Sequence, residues 1–343
     1  MALKVFDGFD HYGSSGVDML ARSGFLQWQS GNLAFITGRN GNGKAVVPQA
    51  PLLDLTGVFA VRNASAGVGM AIDMSGGSSE IDLVDTVAGG TQCSVVFNEA
   101  NFSISVFGGP KVGSSGTLLF LSGNNVWSQK VWNYVEFWVT VSTTVGTVIV
   151  KVNGETLVNL SSVNTQVTAN AWFDGITYTG GALDDFYYCD TTTGPGSFPC
   201  NAPLGDVRVF TTFPVGNSSV TWTPLANTNW QEVSEVVMDG DSTYNFTTTA
   251  GDEDLLNFAA LANTVNKILG VQVTGAYRKD DATMRTLKQA LKSGTVEQYG
   301  TTNSLPDTSY AYFTDIWILD PNTSASWTLA GVNGIAAGYN LVS

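Results

Sequence analysis

The stretch that decides the fold reads Trp132-Asn-Tyr-Val-Glu-Phe-Trp-Val-Thr-Val-Ser142 and is followed by Gly146-Thr-Val-Ile-Val-Lys-Val-Asn-Gly-Glu-Thr-Leu-Val158. In the first run every second residue from Val135 to Val141 is apolar, which is the period of a β-strand. The second run is divided by Asn153-Gly154, a pair favoured in two-residue hairpin turns because both central residues need positive φ. The two runs therefore predict three antiparallel strands.

Composition extends this prediction to the whole chain. Of its 343 residues 43% are hydrophobic, only 13% are charged, and 38 are glycine. Few charges with many small, β-branched and aromatic residues are typical of short strands joined by tight turns. Further strand patterns occur at residues 102–107, 117–121, 268–277 and 310–319. We expect an all-β protein of two domains, because the chain is longer than a typical single domain.

The net charge of −14 limits the classes of partner. It repels nucleic acid phosphates and anionic membrane surfaces, but it is compatible with cations, neutral glycans and other proteins. No stretch approaches the roughly 20 apolar residues of a membrane span. No signal peptide is visible before Asp7, so we expect synthesis in a host cytoplasm.

A domain boundary is predicted between Asp190 and Gly205. Pro195, Pro199 and Pro203 interrupt any β-ladder there, while β-like runs lie on both sides, at residues 185–189 and 207–213. The expected organisation is a domain at 1–190, a linker at 191–205 and a second domain at 206–343. Two segments of the second domain, 252–261 and 283–292, have helix-like spacing and could be helices or strands.

The run from Trp132 to Asp190 resembles the C-terminal half of a laminin-G-like, or concanavalin-like, jelly roll. The matching features are the Tyr-Val-Glu-Phe-Trp-Val strand, the Val-Lys-Val-Asn-Gly-Glu hairpin and the closing Leu183-Asp-Asp-Phe-Tyr-Tyr. The opening Phe6-Asp-Gly-Phe-Asp-His-Tyr12 and the tail Gly331-Val-Asn-Gly-Ile-Ala-Ala-Gly338 resemble modules of bacteriophage virion structural proteins. The resemblance implies two β-sandwich (jelly-roll-like) domains in a virion, and it favours strand for both ambiguous segments.

The segment Ser79-Glu-Ile-Asp-Leu-Val-Asp85 resembles the Glu-x-Asp-x-x-Glu strand of jelly-roll glycoside hydrolases, whose carboxylates act as nucleophile and acid/base. Glu80 and Asp82 match that pattern, but Asp85 is one methylene shorter than the expected Glu. The segment also lacks flanking aromatic residues for sugar subsites. We favour an edge strand with solvent-facing carboxylates, and we predict no catalytic residues.

Other candidate sites are incomplete. A superficial match to a phosphate-binding loop occurs at Gly38-Arg-Asn-Gly-Asn-Gly-Lys44. Ala45 stands where such a loop has the hydroxyl that binds Mg²⁺, so we interpret the segment as a glycine hairpin instead. His11 is the sole histidine, so the sequence offers few of the residues that a catalytic triad or a histidine-based zinc site requires. Asp239-Gly-Asp241 and Asp252-Glu-Asp254 lack a known calcium pattern and are interpreted as solvated loops. No cofactor is predicted.

Cysteine and tryptophan usage leaves alternatives open. Cys93, Cys189 and Cys200 form no disulfide framework; a Cys189–Cys200 bridge would close a Pro/Gly loop, but we favour free thiols. Of the nine tryptophans, Trp138 and Trp317 fall inside strand patterns and are expected in the core. Trp127 and Trp230 lie beside polar turns and are the better candidates for exposure, although burial is favoured there too.

The sequence as a whole predicts a non-enzymatic bacteriophage virion surface protein, either a capsid decoration protein or a tail-associated adhesin. Its partners would be other virion proteins, further copies of itself in a homo-oligomer, and a host-surface glycan. We place the self-association interface in the second domain, at the small apolar run 331–338. The alternatives are a glycan-binding lectin module not tied to a virion and, less favoured, a glycoside hydrolase that uses Glu80, Asp82 and Asp85.

Overall fold

The computed structural model describes residues 2–12, 27–28, 33–41, 43–48, 53–54, 62–111, 115–190, 202–261, 265–305 and 307–343. Their contacts divide into two compact units. The first unit contains the described residues up to Val209 except His11 and Tyr12, and the second contains these two and Phe210–Ser343. The second unit thus begins at Phe210, four residues after the predicted 206, and most of the predicted linker lies outside the described residues.

The first unit is built from fifteen strands among its described residues. In chain order they are β1 (Ala2–Asp7), β2 (Gln27–Trp28), β3 (Leu33–Thr37), β4 (Lys44–Pro48), β5 (Leu53–Asp54), β6 (Ser65–Asp73), β7 (Ser79–Asp85), β8 (Gly90–Asn98), β9 (Ser103–Gly108), β10 (Thr117–Leu121), β11 (Trp132–Thr140), β12 (Gly146–Val152), β13 (Glu155–Val163), β14 (Gly175–Thr179) and β15 (Leu183–Asp190). Two 3₁₀ turns, Arg39–Gly41 and Met74–Gly76, complete its regular structure in the described ranges.

These strands form two antiparallel sheets of a β-sandwich. The first sheet has the order β13-β12-β11-β6-β15-β4-β3, with β1 also paired to β15, and the second has the order β10-β9-β8-β7-β14-β5-β2. Each sheet has one apolar face of fully buried side chains, such as Val68 and Phe137 in the first and Ile81 and Val95 in the second. Burying these faces against each other stabilises the sandwich, at roughly 25 cal/mol per Å² of apolar surface.

The strands predicted around the Asn-Gly pair are confirmed. β11 pairs with β12 and β12 with β13, and the turn between the last two has φ of 51° at Asn153 and 84° at Gly154. Because β11 also pairs with β6, it is an interior strand whose two faces are both buried. The predictions at residues 102–107 and 117–121 are likewise confirmed, as β9 and β10.

The second unit is also almost entirely β. Its strands are β16 (Pro214–Val220), β17 (Thr223–Pro224), β18 (Asn245–Phe246), β19 (Glu253–Phe258), β20 (Val271–Tyr277), β21 (Arg285–Ser293), β22 (Val296–Tyr299), β23 (Asn303–Leu305), β24 (Ala311–Trp317), β25 (Leu319–Asp320), β26 (Ala325–Ser326) and β27 (Ala336–Leu341). A 3₁₀ turn at Gln231–Val233 and one short helix, α1 (Leu329–Asn333), are the helical elements among its described residues.

A six-stranded sheet forms the centre of the second unit, in the order β16-β19-β27-β21-β22 with β23 also paired to β21. The ribbon β20–β24 packs on it through a cluster that contains Leu291 of β21, Trp317 of β24 and Trp327. The ambiguous segments at 252–261 and 283–292 coincide largely with β19 and β21, so the preference for strand is confirmed. The fold class, all-β with sandwich domains, is the one predicted.

The end of the run 331–338 is buried at Ala336 and Ala337 of β27, which lies between β19 and β21, whereas Asn333 and Gly334 are exposed. Two expectations about local structure are wrong. Residues 207–213 form no strand; the backbone N–H of Val209 instead donates to Asp185 Oδ1 at 2.8 Å. Cys189 is disulfide-bonded rather than free, whereas Cys93 is a buried free thiol and Cys200 lies outside the described residues.

No helix in the described ranges is long and apolar enough to cross a membrane.

Candidate functional site

The carboxyl pair Glu80 and Asp82 lies on an interior strand of the second sheet. β7 pairs with β8 on one side and with β14 on the other. The expectation of an edge strand with solvent-facing carboxylates is therefore wrong: Glu80 is only 8% exposed, and Asp82 is half-buried. Alternate residues of a strand face opposite sides, so both carboxyls lie on the face opposite the core residues Ile81 and Leu83.

The Asp82 carboxyl is held by hydroxyl groups of both neighbouring strands. Ser94 Oγ hydrogen-bonds to Asp82 Oδ1, and Thr177 Oγ1 donates to Oδ2 at 3.3 Å. Ser94 Oγ also lies 2.9 Å from the carbonyl oxygen of Gly109. A hydroxyl carries one proton, so a protonated Asp82 that donates to Ser94, which in turn donates to Gly109, satisfies both contacts. Burial, which raises the pKa of Asp82, favours this protonated form.

Glu80 strengthens the tendency of the pair to hold a proton. Its Oε1 atom has no hydrogen-bond partner in the part of the chain that the structure describes. Burial and the neighbouring Asp82 raise the pKa of Glu80 to about 7, whereas Lys111 acts in the opposite direction. Two buried carboxyls side by side do not both ionise readily, so the pair retains a proton close to neutral pH.

Asp85 does not complete a catalytic set with this pair. Its carboxylate accepts hydrogen bonds from Ala88 N at 3.0 Å, Thr168 Oγ1 at 2.6 Å and Asn170 Nδ2 at 2.9 Å. Burial alone would raise the pKa of Asp85, but these hydrogen bonds outweigh it and hold the pKa below its usual value. The pairing between β7 and β8 shifts register just before Asp85. The side chain therefore ties two loops together.

A second buried carboxyl group lies on the outer face of the first sheet. Glu136 is 1% exposed; its Oε1 accepts hydrogen bonds from Tyr187 Oη at 2.5 Å and from Gly205 N at 2.9 Å. Burial raises the pKa of Glu136 although these hydrogen bonds oppose the shift. Gly205 belongs to residues 202–209, the strap, which lies across this face. The sequence indicated Glu136 only as part of a strand. The alternation of apolar and polar residues along β11 does not show which segment covers the outer face of the sheet.

Glycines let aromatic rings lie flat on this face. A Cβ atom on Gly67 would fall 2.1 Å from the Trp138 ring, and one on Gly69 would fall 2.0 Å from the Tyr187 ring. Trp138 is 5% exposed, as expected for a core tryptophan, although it faces the strap side of the sheet rather than the apolar interior. Neither position accepts a side chain without moving a ring.

The strap is fixed by an ion-pair cluster around Arg39. Its guanidinium donates to both carboxylate oxygens of Asp206, at 2.7 and 2.5 Å, and lies 3.5 Å from Asp185 Oδ2. The backbone N–H of Arg39 donates to Asp184 Oδ2 at 2.8 Å. Arg39 lies in the glycine hairpin between β3 and β4, closed by Gly38 N to Gly43 O at 3.0 Å. The expected hairpin is confirmed, and its residue Arg39 binds the strap through Asp206.

A polar cleft opens at one end of the first unit and has a volume of about 170 Å³. Segments far apart in sequence form it: the loop after β10, the start of β11 and the β12–β13 turn. Its lining residues are Asn125, Val126, Trp127, Ser128, Asn133, Val152, Asn153 and Glu155. The amide-rich composition is the residue chemistry that recognises hydroxyl-bearing ligands.

Two amides in the cleft are fixed by internal hydrogen bonds. Asn153 Nδ2 donates to Asn133 Oδ1 at 3.2 Å, and Asn153 Oδ1 accepts from Tyr134 N at 2.8 Å. Asn133 Nδ2 donates to the carbonyl oxygens of Ser128 and Val131, at 2.8 and 3.1 Å. These bonds hold the loop before β11 against the β12–β13 turn. The walls of the cleft are therefore preorganised.

Exposed polar side chains remain on the rim of this cleft. Asn125, Ser128 and Glu155 are all exposed. Trp127 is 5% exposed and supports the floor, because its Nε1 donates to Ser103 O at 3.1 Å and its ring meets Phe102 edge-on at 5.1 Å. Trp127 is thus buried, which confirms the outcome favoured from the sequence. The sequence signal for the cleft was the Asn-rich composition on both sides of Trp127 and at the hairpin turn.

The remaining candidates have structural surroundings. Asp254 is buried and accepts hydrogen bonds from Thr221 N, Trp222 N and Asn229 Nδ2, so it is not a solvated loop charge. Asp239 lies in an exposed turn, where it accepts from Thr243 N and Oγ1. Within the described ranges, no group of three or more His, Cys, Asp or Glu side chains could hold a metal ion.

Comparisons with known proteins give structural similarity only. No family model matches the chain, and no curated protein matches it. Among solved structures, a toad ovary galectin in complex with thio-digalactose is 10% identical over 41% of this chain and 99% of its own, with a TM-score of 0.31. Galectin LEC-6 of Caenorhabditis elegans is 14% identical over 41% and 91% of the two chains, with a TM-score of 0.29. Congerin II with lactose and MES is 15% identical over 38% and 97%, with a TM-score of 0.28. Similarity this low transfers no function to the present chain.

Proposed function

We propose that the protein is a glycan-binding module and that its first unit holds a neutral sugar in the cleft beside Trp127. The observation that carries the proposal is the cleft itself, a preorganised space of about 170 Å³ whose rim presents an amide, a hydroxyl and a carboxylate. An amide both donates and accepts hydrogen bonds and a carboxylate accepts them, which suits the adjacent hydroxyl groups of a sugar ring.

Charge narrows the ligand to neutral sugars. Glu155 lies on the cleft rim, and the chain as a whole carries −14. A sialylated or uronic-acid glycan would bring a second carboxylate close to Glu155 in a negative field. A neutral hexose brings only hydroxyl groups, which Glu155 and Asn125 can bind as acceptor and donor. Neutral oligosaccharides are therefore the ligand class to test first.

Titration calorimetry of the full chain against a panel of neutral oligosaccharides tests this function. We expect Glu155→Gln and Asn125→Asp each to weaken binding about tenfold, which corresponds to one lost hydrogen bond of about 1.4 kcal/mol. Asp suits position 125 because the backbone there has φ of 61°, a conformation that Asn and Asp tolerate. Asn159→Ala, at an exposed amide of β13 outside the cleft, is the matched control. Binding by no member of the panel, or equal binding by all variants, would refute the proposal.

We propose that the protein is not a glycoside hydrolase. The support is the separation of roles among the three carboxyls: Glu80 and Asp82 retain a proton together, whereas Asp85 binds two loops through three hydrogen bonds. Reducing-sugar release from laminarin or agarose that disappears in Glu80→Gln would contradict this.

We also propose that the chain is displayed on a bacteriophage particle, on the capsid or the tail, with the second unit docked on another virion protein. The sequence resemblance suggests this location, and the exposed apolar side chains Phe210, Val215 and Met284 of the second unit, at 59%, 51% and 72% exposure, suit a docking surface. Mass spectrometry of purified particles should find many copies of the chain. Met284→Lys should lower the copy number, and absence of the chain from particles would refute the location.

A further inference from the structure

The terminal strand of the second sheet has an open edge. β10 pairs with β9 and has no other neighbour among the described strands, so one side of its backbone lacks β-ladder partners. Two of its apolar side chains are also exposed, Leu118 at 52% and Leu121 at 57%, whereas Leu119 and Phe120 are half-buried. Such an edge is a template for pairing with another strand, because only a strand satisfies a row of alternating N–H and C=O groups.

This edge lacks the charges that usually prevent strand pairing. No charged residue occurs from residue 115 to residue 125, although the chain has 29 acidic and 15 basic residues. Natural edge strands are commonly protected by lysine, proline or inward-pointing charge, and β10 has none of them. A bulge in its pairing with β9, between Leu118 and Phe120, is the one protective feature it retains.

We propose that two copies of the chain associate through β10, antiparallel across a two-fold axis, so that two seven-stranded sheets become one continuous sheet. Centred on Leu119, antiparallel pairing places Leu118 opposite Phe120 of the second copy and Thr117 opposite Leu121. In this register Leu118, Leu119 and Phe120 each gain an apolar neighbour, and Leu121 lies opposite the methyl-bearing side chain of Thr117.

Charge distribution favours a second copy as the occupant of this edge. Two chains that each carry −14 repel wherever their acidic surfaces meet, but at physiological salt this repulsion is screened beyond about 8 Å. Electrostatic repulsion therefore opposes contact between identical copies least at a strand with no charged residues nearby in the sequence. An isologous contact of this kind closes after two copies and buries Leu118 and Leu121 in both.

Sedimentation of the full chain over a range of concentrations tests the proposal. We expect a monomer–dimer equilibrium that Leu118→Lys weakens by at least about 100-fold, because pairing would place each lysine against Phe120 of the other copy and bury its charge without a partner. Val145→Lys is the matched control, since Val145 is 67% exposed in a loop of the same unit, outside β10. Leu121→Lys provides an independent second variant. Circular dichroism confirms that each variant is folded.

Hydrogen exchange identifies the surface that dimerisation covers. We expect backbone amides of β10 to exchange more slowly as protein concentration rises, and to lose this dependence in Leu118→Lys. The concentration of about 100 μM exceeds the dissociation constant of weak but specific contacts. A wild-type chain that stays monomeric at this concentration would overturn the proposal. A dimer that tolerates both lysine variants, or one that Val145→Lys disrupts equally, would overturn it as well.

Discussion

Replacing Glu80 by Gln should make the protein more stable than the wild type at alkaline pH but not at acidic pH. The pKa of Glu80 is raised from 4.5 to about 7, chiefly by burial and secondly by Asp82. Its protonated form is therefore favoured in the folded state. The resulting stability is fully present below pH 4.5 and is lost as the pH rises through about 7. Gln resembles the protonated acid and does not ionise, so the variant avoids this loss.

The size of the effect follows from the two pKa values. The difference between 4.5 and about 7 corresponds to at most about 3 kcal/mol. Solvent near the carboxyl group screens the ionised form, so we expect about 1–2 kcal/mol in practice. The variant's advantage in unfolding free energy should grow between pH 4.5 and pH 8 and then level off. Most of the change should fall between pH 5 and 7.5.

Urea unfolding of both proteins at four pH values between 4.5 and 8.5 measures this difference. Glu155→Gln is the control for removal of an acid, because Glu155 is an exposed carboxylate of the same unit. The control should differ from the wild type by a small, nearly constant amount. A Glu80→Gln difference that stays constant over the whole range, or that shrinks as pH rises, would refute the assignment of a shared proton to Glu80 and Asp82.

Two further substitutions probe the outer face of the first sheet. Gly69→Ala should lower the unfolding free energy by about 1–3 kcal/mol, because the new Cβ would lie 2.0 Å from the Tyr187 ring; Gly123→Ala, where no atom lies within 4 Å, is the thermal-unfolding control. Asp206→Asn should loosen the strap, because it removes the carboxylate to which Arg39 donates. Trypsin should then cut after Arg208 several-fold faster than in the wild type. Unchanged cleavage would mean that the ion pair does not fix the strap.

Strands with a clear local signal could be predicted from the sequence. The β11–β13 meander combines alternation with an Asn-Gly turn, and both features depend only on neighbouring residues. The pairing of β7 with β8 and β14 could not be predicted in this way, because a polar residue at every second position suits an exposed edge equally well. Only the tertiary pairing with Ser94 and Thr177 shows that Glu80 and Asp82 are buried.

The error at residues 207–213 has a similar cause. Val207-Arg-Val-Phe-Thr-Thr-Phe213 alternates like a strand, but a strand needs a ladder partner, and Val209 N donates to the side chain of Asp185 instead. The cleft was not predictable as a site either. Asn125 and Asn153 are far apart in sequence, and the loop after β10 meets the hairpin turn only because Asn133 bridges them.

The covering of both sheets decides where a ligand can bind in the first unit. Around Asp82 the outer face of the second sheet is closed by Gly109 and Lys111, and around Glu136 the outer face of the first sheet is closed by the strap. Both covers make backbone hydrogen bonds there: Gly109 O accepts from Ser94, and Gly205 N donates to Glu136. A ligand that entered either face would first have to displace those hydrogen bonds. The proposed ligand at the cleft beside Trp127 would require no such displacement, because Asn125, Ser128 and Glu155 on its rim are already exposed.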